Sequence, residues 1–159
     1  MVTKGLLHKD VYLPNKIQEV AGRLLKNYKT YTLSGHVKDH AVVDEDKSHG
    51  YTLPRLKEAL DNAIGKAFEA FEVEVTQYDN KDGKTKSPWY VTKICIRVPY
   101  GDDQDVCLSI RPYRDYVTHR LDTANALIVT AWLNARNDNH TTLDSSKYLT
   151  QEECSQMGI

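Results

Sequence analysis

The chain has 159 residues, of which 40% are hydrophobic and 27% charged, and its formal net charge at pH 7 is −1. These values are typical of one globular domain that buries roughly 70% of its unfolded surface. A net charge so close to zero argues against a protein that coats nucleic acid nonspecifically, so an anionic ligand would need a local site.

Two further features of the sequence limit its class. No run reaches the ~18 apolar residues that a membrane helix needs, and the first residues hold no apolar region of signal-peptide length. We therefore expect a cytoplasmic protein with no membrane association. Cys95, Cys107 and Cys154 form no C-x-x-C pair, so reduced thiols are favoured, and we expect neither a metal nor a cofactor.

Apolar residues at helical spacing predict two or three helices in the first half of the chain. The first is predicted over residues 15–28, with Asn15 at its N-cap. Ser34 can cap a short second helix. A further helix is predicted to begin at Thr52, with Pro54 in its first turn.

From Phe71 the period of the pattern changes from 3.6 to 2, which predicts about four strands. Helices followed by strands indicate an α+β fold, with two or three N-terminal helices packed on one face of a four-stranded, mostly antiparallel meander sheet. We expect a single domain over residues 1–159, with its core at about 14–134. The polar C-terminal tail, residues 135–159, is expected to wrap the surface.

Residues 91–112 read as a hairpin with two distinct faces. One register is an ordinary core face, formed by Ile94, Ile96, Val98, Val106, Leu108 and Ile110. The other register, aligned with the last strand and with Glu72 and Glu74 of the first, gives a surface that we name the polar face. Its members are Lys93, Cys95, Arg97, Cys107, Ser109, Arg111, Thr130 and Trp132.

The polar face has two interpretations. It is a solvated sheet surface if its mixed charges pair across strands, each pair contributing a few tenths of a kcal/mol. It is an anion site if the arginine forks and the lysine hold phosphate oxygens while Trp132 stacks a base. The face alone leaves both interpretations open.

Histidines matter to the second interpretation, because phosphodiester cleavage needs a proton acceptor near neutral pH. His36 and His40, in "SGHVKDH", are the first candidates, and His140, in "RNDNHTTLD", is another. The pair lacks the glutamate of H-E-x-x-H and an obvious third ligand, so a metal site is not predicted. The remaining histidines have no supporting pattern: His8, His49 and His119.

The order of "SGHVKDHA", "FEVEV", "VTKICIRVPY", "DVCLSIRP" and "ALIVTAWLN" over residues 34–134 resembles the barnase–EndoU–colicin–RelE-like nuclease superfamily. Within it, the layout is similar to the compact toxin-type domains of phages and mobile elements. That family pattern has a histidine before or within the helix preceding the sheet, Lys or Arg on the central strands, and Thr or Ser on the last strand.

The resemblance implies metal-independent RNA cleavage, in which a base removes the 2′-hydroxyl proton and the product carries a 2′,3′-cyclic phosphate. Cations would stabilise the charge that develops on the phosphate. The implied catalytic residues are His36, His40, Lys93, Arg97, Arg111 and Thr130. We expect the substrate to be contacted by Trp132, Ser109 and His140.

The alternative function is a non-enzymatic phage or mobile-element accessory protein that binds a host or virion protein. Ten tyrosines and two tryptophans support it, because these side chains anchor protein interfaces. A sheet edge at residues 71–78 could also support a homodimer. The sequence therefore leaves RNA and a protein as candidate partners.

Overall fold

A six-stranded sheet and four helices form an α+β structure in the computed structural model, which describes residues 2–43, 50–66, 68–115, 117–136 and 143–159. In chain order the elements are β1 (Val2–His8), α1 (Asn15–Asn27), β2 (Thr30–Leu33), α2 (Gly35–Asp39), α3 (Leu53–Ala63), β3 (Ala70–Tyr78), β4 (Tyr90–Tyr100), β5 (Gln104–Arg114), β6 (Leu121–Ala135), a short 3-10 helix (Ser145–Lys147) and α4 (Gln151–Met157). No helix in these described ranges is long and apolar enough to cross a membrane.

The strand order of the sheet is β1-β3-β4-β5-β6-β2. The predicted antiparallel meander is present as β3 to β6, but the predicted four-strand sheet is wrong in its strand number. An antiparallel β1 extends one side and a parallel β2 extends the other. Both were missed because β1 has a glycine at its centre, which weakens a strand pattern, and β2 is only four residues long.

The position of β1 also corrects the predicted sheet edge. Its residues pair along β3 from Val2 with Tyr78 to His8 with Glu72. Residues 71–78 are therefore covered by a neighbouring strand and do not form the edge that was expected to support a homodimer.

The core lies between the helices and one face of the sheet. All six residues of the predicted core face are buried, together with Ile17 and Leu25 of α1 and Leu56 and Leu60 of α3. Burying one such side chain contributes ~1.5–3 kcal/mol, so this layer holds the helices on the sheet.

Helix starts follow the predicted caps only in part. The Ser34 side chain accepts a hydrogen bond from Val37 N at 3.2 Å and caps α2 as predicted. Asn15 is instead the first residue of α1, and Pro14 stands at its N-cap without a side-chain hydrogen bond. Thr52 occupies the predicted N-cap of α3 but its side chain does not cap the helix.

The C-terminal segment does more than wrap the surface. Leu149 N donates to Leu6 O of β1 at 2.9 Å, and Trp89 Nε1 donates to Met157 O of α4 at 3.0 Å. Cys154 is 1% exposed and belongs to the same core cluster as the sheet. The core thus includes residues on both sides of the predicted 14–134 range.

A capping box begins α4. Thr150 Oγ1 accepts a hydrogen bond from Glu153 N at 3.2 Å, and the Glu153 carboxylate accepts one from Thr150 N at 3.2 Å.

We expect Thr150→Ala to lower the free energy of unfolding by about 1 kcal/mol, measured by urea denaturation, because the first turn loses its acceptor. Thr150→Ser keeps that acceptor and should stay near the parent value; an unchanged Thr150→Ala would contradict the cap.

Candidate functional site

The strand register assembles the polar face into rows that run across the sheet. Paired residues of antiparallel strands project to the same side, so each row is a line of neighbouring side chains. The longest, which we name the transverse row, crosses β1, β3, β4, β5 and β6 and contains His8, Glu72, Cys95, Ser109 and Thr130. The next row contains Arg97, Cys107 and Trp132.

The middle of the polar face is filled with side chains and is not an open cleft. Cys95 is 3% exposed, Cys107 is 0% exposed, and the Phe71 ring packs with both. Ser109, which was expected to contact substrate, is buried, and its Oγ has no hydrogen-bond partner in the described part of the chain. A ligand could reach the side chains of Cys95, Cys107 and Ser109 only if the residues that cover them moved.

Burial also sets the chemistry of Cys95. Desolvation, followed by the charge of Glu72 and a hydrogen bond to it, raises the pKa of this thiol to about 12. The Cys95 Sγ donates to Glu72 Oε2 at 3.4 Å. Ser109, opposite Cys95 in the register, has the weaker and contrary effect on its pKa, although its hydroxyl lies outside ordinary hydrogen-bond geometry. Cys95 is therefore a neutral thiol at physiological pH and not a nucleophile.

Arg97 is held by the ends of three strands. Its Nε donates to Asp105 Oδ2 at 3.2 Å, and its Nη2 donates to Ala135 O at 2.8 Å. Arg136 Nε donates to the other oxygen of Asp105 at 3.3 Å, so this carboxylate lies between two guanidinium groups. The charge of Arg97 is thereby engaged in joining β4, β5 and β6.

The other two cations of the predicted site differ in their surroundings. Lys93 Nζ lies 3.9 Å from Glu74 Oε2, and the same carboxylate accepts from Thr92 Oγ1 at 2.9 Å. Arg111 is exposed and forms no ion pair with any residue that the structure describes. Of the three cations, Arg111 is the one without an acidic partner there.

The predicted histidine pair lies on α2. Both imidazoles are exposed, and their ring centroids are 4.2 Å apart. Ser34 Oγ donates to Val129 O of β6 at 2.9 Å, and Val37 is buried in the core, so α2 packs against β6. His36 follows Ser34 by two residues and Thr130 follows Val129 by one, so the pair lies near β6, on a helix whose Val37 packs in the core, whereas Thr130 belongs to the polar face.

Neither histidine bonds to the cations of the polar face. In the described chain, His36 and His40 have no side-chain hydrogen bond or ion pair, and their ring contact is with each other. Lys93 and Arg97 lie on β4, two strand spacings or about 10 Å from β6. The structure therefore brings the histidines to β6 and not to the β4 cations.

His8 is the histidine that the structure places on the polar face, and the sequence pattern did not single it out. It is 2% exposed, its Nδ1 accepts from Asp10 N at 3.1 Å, and its ring lies 4.9 Å from that of Tyr148. The Tyr148 hydroxyl donates to Glu72 Oε1 at 2.5 Å. The alternation of Lys4, Leu6 and His8 was the available signal, but the doublet Leu6–Leu7 obscured it.

The remaining predicted site residues are placed as follows. Thr130 is half-buried opposite Ser109, and Trp132 is 40% exposed opposite Cys107. His140 lies outside the described residues. Within those residues, no group of three His, Cys, Asp or Glu side chains is arranged to hold a metal ion.

Comparisons with protein-family models, with curated proteins and with solved structures find no match. Function is therefore inferred from the side chains described above.

The Tyr148–Glu72 bond has a testable pH dependence. Burial first, and then the bond to Glu72, raise the pKa of Tyr148 well above its usual value of about 10. A raised pKa in the folded state gives stability that is complete below about pH 10 and is lost as pH rises toward the higher folded value. We expect the free energy of unfolding to fall more steeply from about pH 9 to about pH 11 in the parent than in Tyr148→Phe.

Denaturant titrations at several pH values make this measurement. Buried tyrosines such as Tyr28, whose pKa burial raises to about 12, contribute equally to the parent and to the variant. Tyr78→Phe, at a residue that is 42% exposed, is the matched control and should follow the parent. Equal pH slopes in the parent and in Tyr148→Phe would contradict the assignment.

Proposed function

We propose that the protein is a metal-independent ribonuclease whose site lies where α2 packs against β6. This site, which we name the α2–β6 corner, consists of His36, His40, Thr130 and Arg111. The observation that carries the proposal is the bond from Ser34 Oγ to Val129 O, because it fixes an exposed histidine pair beside the strand of Thr130.

Two imidazoles at the corner supply the proton transfers that the reaction needs. One, as a neutral ring, takes the proton from the 2′-hydroxyl while the 2′ oxygen attacks the adjacent phosphorus. The bond from phosphorus to the 5′ oxygen breaks, and the second imidazole, as a cation, gives its proton to that leaving oxygen. The products are a 2′,3′-cyclic phosphate and a 5′-hydroxyl, with atoms and charge balanced.

Arg111 is the cation best suited to the phosphate. It lies on β5 in register with Leu127 of β6, about 5 Å from that strand, and an acidic side chain does not compete for it in the described chain. Its planar fork matches two phosphate oxygens and would stabilise the charge that develops on them. Thr130 offers a hydroxyl donor on the neighbouring strand.

Arg97 and Lys93 have another role in this proposal. A phosphate would have to displace Asp105 from Arg97, or Glu74 from Lys93, before either cation could bind it. We assign them to the stability of the sheet. We propose that the protein shares the reaction of the nuclease superfamily that it resembles, and that Arg111, not a cation of β4, binds the phosphate.

Cleavage of a short fluorescent oligoribonucleotide containing all four bases, in the presence of EDTA, is the direct test. We expect the parent to produce fragments ending in a 2′,3′-cyclic phosphate. The double variant His36→Ala/His40→Ala should lose about 100-fold or more in rate, and Arg111→Ala about 100-fold. Intact RNA at high concentrations of folded parent protein would overturn the proposal.

Arg97→Ala separates stability from chemistry. Loss of its charged hydrogen bonds should lower the free energy of unfolding by about 1–3 kcal/mol, while the folded fraction cleaves RNA at the parent rate. Arg23→Ala, which removes an exposed cation from α1, controls for net charge and should change neither quantity. If fully folded Arg97→Ala did not cleave RNA, the phosphate would instead bind at β4.

A second candidate function, binding of a protein partner, is favoured by one patch of the polar face. Val2 pairs with Tyr78, whose ring lies 6.1 Å from that of Tyr90, and all three side chains are more than 40% exposed. Aromatic side chains in such a position are typical interface anchors. Recovery of one stoichiometric partner by the parent but not by Tyr78→Ala/Tyr90→Ala, without RNA cleavage, would support this function over the first.

A further inference from the structure

Strands β5 and β6 keep pairing with each other after their ladders with β4 and β2 have ended. The last pair between β4 and β5 joins Ile94 to Ile110, and β2 pairs with β6 only from Asn125 onward. Residues 111–114 therefore pair with β6 but no longer with β4, and residues 121–124 lie outside the ladder with β2. We name these residues, with the described part of their connection, the hairpin arm.

The conformation of the arm is specified by its own contacts. A register shift between Pro112 and Tyr113 interrupts the pairing at its base, and such a bulge bends a strand pair. At the tip, Asp115 Oδ1 accepts from the amides of Val117 and Thr118 at 2.8 and 2.9 Å. The described residues of the arm are thus joined by defined hydrogen bonds.

A second contact ties the two sides of the tip together. Arg114 Nη1 donates to His119 O at 2.9 Å, and His119 N donates to Asp115 O at 2.9 Å. His119 has a φ of 59°, in the left-handed region that few residues other than glycine occupy. These bonds connect Arg114 and Asp115 on one side of the tip to His119 on the other.

The surface of the arm is basic along its sides and apolar at its tip. Arg111 and Arg120 are exposed and form no ion pair in the part of the chain that the structure describes. Lys29 is a third cation near the arm, because its backbone N donates to Ala124 O at the base. Asp115 and Asp122 both accept hydrogen bonds from backbone amides. Asp115 accepts from the amides at the tip, and Asp122 accepts from Ala124 N at 3.1 Å. Val117 is 88% exposed at the tip.

We infer that the hairpin arm binds the phosphate backbone of a base-paired RNA stem, with Arg111, Arg120 and Lys29 on phosphates and Val117 against the groove. Two strands flanked by cations fit the wide, shallow minor groove of A-form RNA, whose 2′-hydroxyls and phosphates are read by shape. The inference deepens the proposed function, on which it rests, by naming a stem as the substrate class.

The arm also lies next to the α2–β6 corner along the chain. Arg111 begins the arm on β5, and β6 runs from the arm through residues 125–128 to Thr130. A stem bound along the arm would therefore lead a strand toward the corner. The structured arm would position the substrate, and the corner would cleave it.

Binding is measured by fluorescence anisotropy with a labelled RNA stem-loop and the variant His36→Ala/His40→Ala, which leaves the 2′-hydroxyls of the probe in place and is expected not to cleave it. We expect this variant to bind the stem-loop more tightly than an RNA single strand or a DNA duplex of the same composition, and the substitutions below are made in the same background. Equal affinity for the single strand or for the DNA duplex would overturn the inference.

Variants outside the proposed cleavage machinery then locate the contact. Arg120→Ala should weaken stem-loop binding about three- to tenfold and lower the slope of log affinity against log salt by about 0.7–0.9. Val117→Ser should weaken binding with little change in that slope, because it removes no charge. Arg23→Ala, the charge-matched control on α1, should bind like the parent, and equal losses in Arg23→Ala and Arg120→Ala would contradict a contact at the arm.

A dinucleoside monophosphate, too short to reach Arg120 and Val117 from the corner, separates this inference from the proposed function. Arg120→Ala should cleave it at the parent rate, whereas His36→Ala/His40→Ala should not cleave it. If the parent protein bound the stem-loop but left the dinucleotide intact, the proposed ribonuclease activity would be refuted and stem binding by the arm would stand. Cleavage of the dinucleotide without preference for the stem-loop would refute the arm and keep the ribonuclease.

Discussion

The strict alternation of β4 and β5 is the constraint on which the rest of the structure depends. Every second residue from Ile94 to Tyr100 and from Val106 to Ile110 is buried against the helices, which leaves the intervening residues on the opposite face. A slip of one residue in this pairing would turn the cations inward and the core outward. The register of the hairpin therefore decides both where the helices pack and which side chains form the polar face.

Charge balance is the second consequence of that register. Arg97 and Arg136 converge on Asp105, and Lys93 faces Glu74, so the centre of the polar face is compensated within the chain. Compensation of this kind stabilises a sheet but lowers the attraction for an external phosphate. Among the described residues, Arg111 and Arg120 have no acidic partner and lie on the hairpin arm, and the exposed histidine pair lies beside β6. In our proposal, the anion site therefore lies at the α2–β6 corner and not at the middle of the sheet.

Much of this architecture could be predicted from local patterns. The 3.6 period gave α1 and α3, Ser34 gave the start of α2, and the period of two gave β3 to β6 with their faces in the correct phase. The strands that local patterns did not predict, β1 and β2, are specified by tertiary contacts. β2 has four residues and exists as a strand because β6 pairs with it, and β1 interrupts its pattern with Gly5.

The site was predictable to a similar degree. Residue types and strand phase correctly grouped Ser109, Thr130 and Trp132 on one face, yet they carried no information on depth, so the burial of Ser109 was not foreseen. The neutralisation of Arg97 by Asp105 also depends on side-chain direction across strands, which spacing does not encode. His8 reached the polar face through long-range pairing with Glu72, sixty-four residues away in the chain.

The backbone bond between Leu149 and Leu6 has a consequence for solubility. β1 is an outer strand of the sheet, and an outer strand with free amides and carbonyls is a template on which another chain can add. Leu149 N occupies the outward carbonyl of Leu6, and α4 follows directly, anchored by buried Cys154. The C-terminal segment thus covers the outer side of β1 at Leu6, so that another strand could pair there only if this segment left.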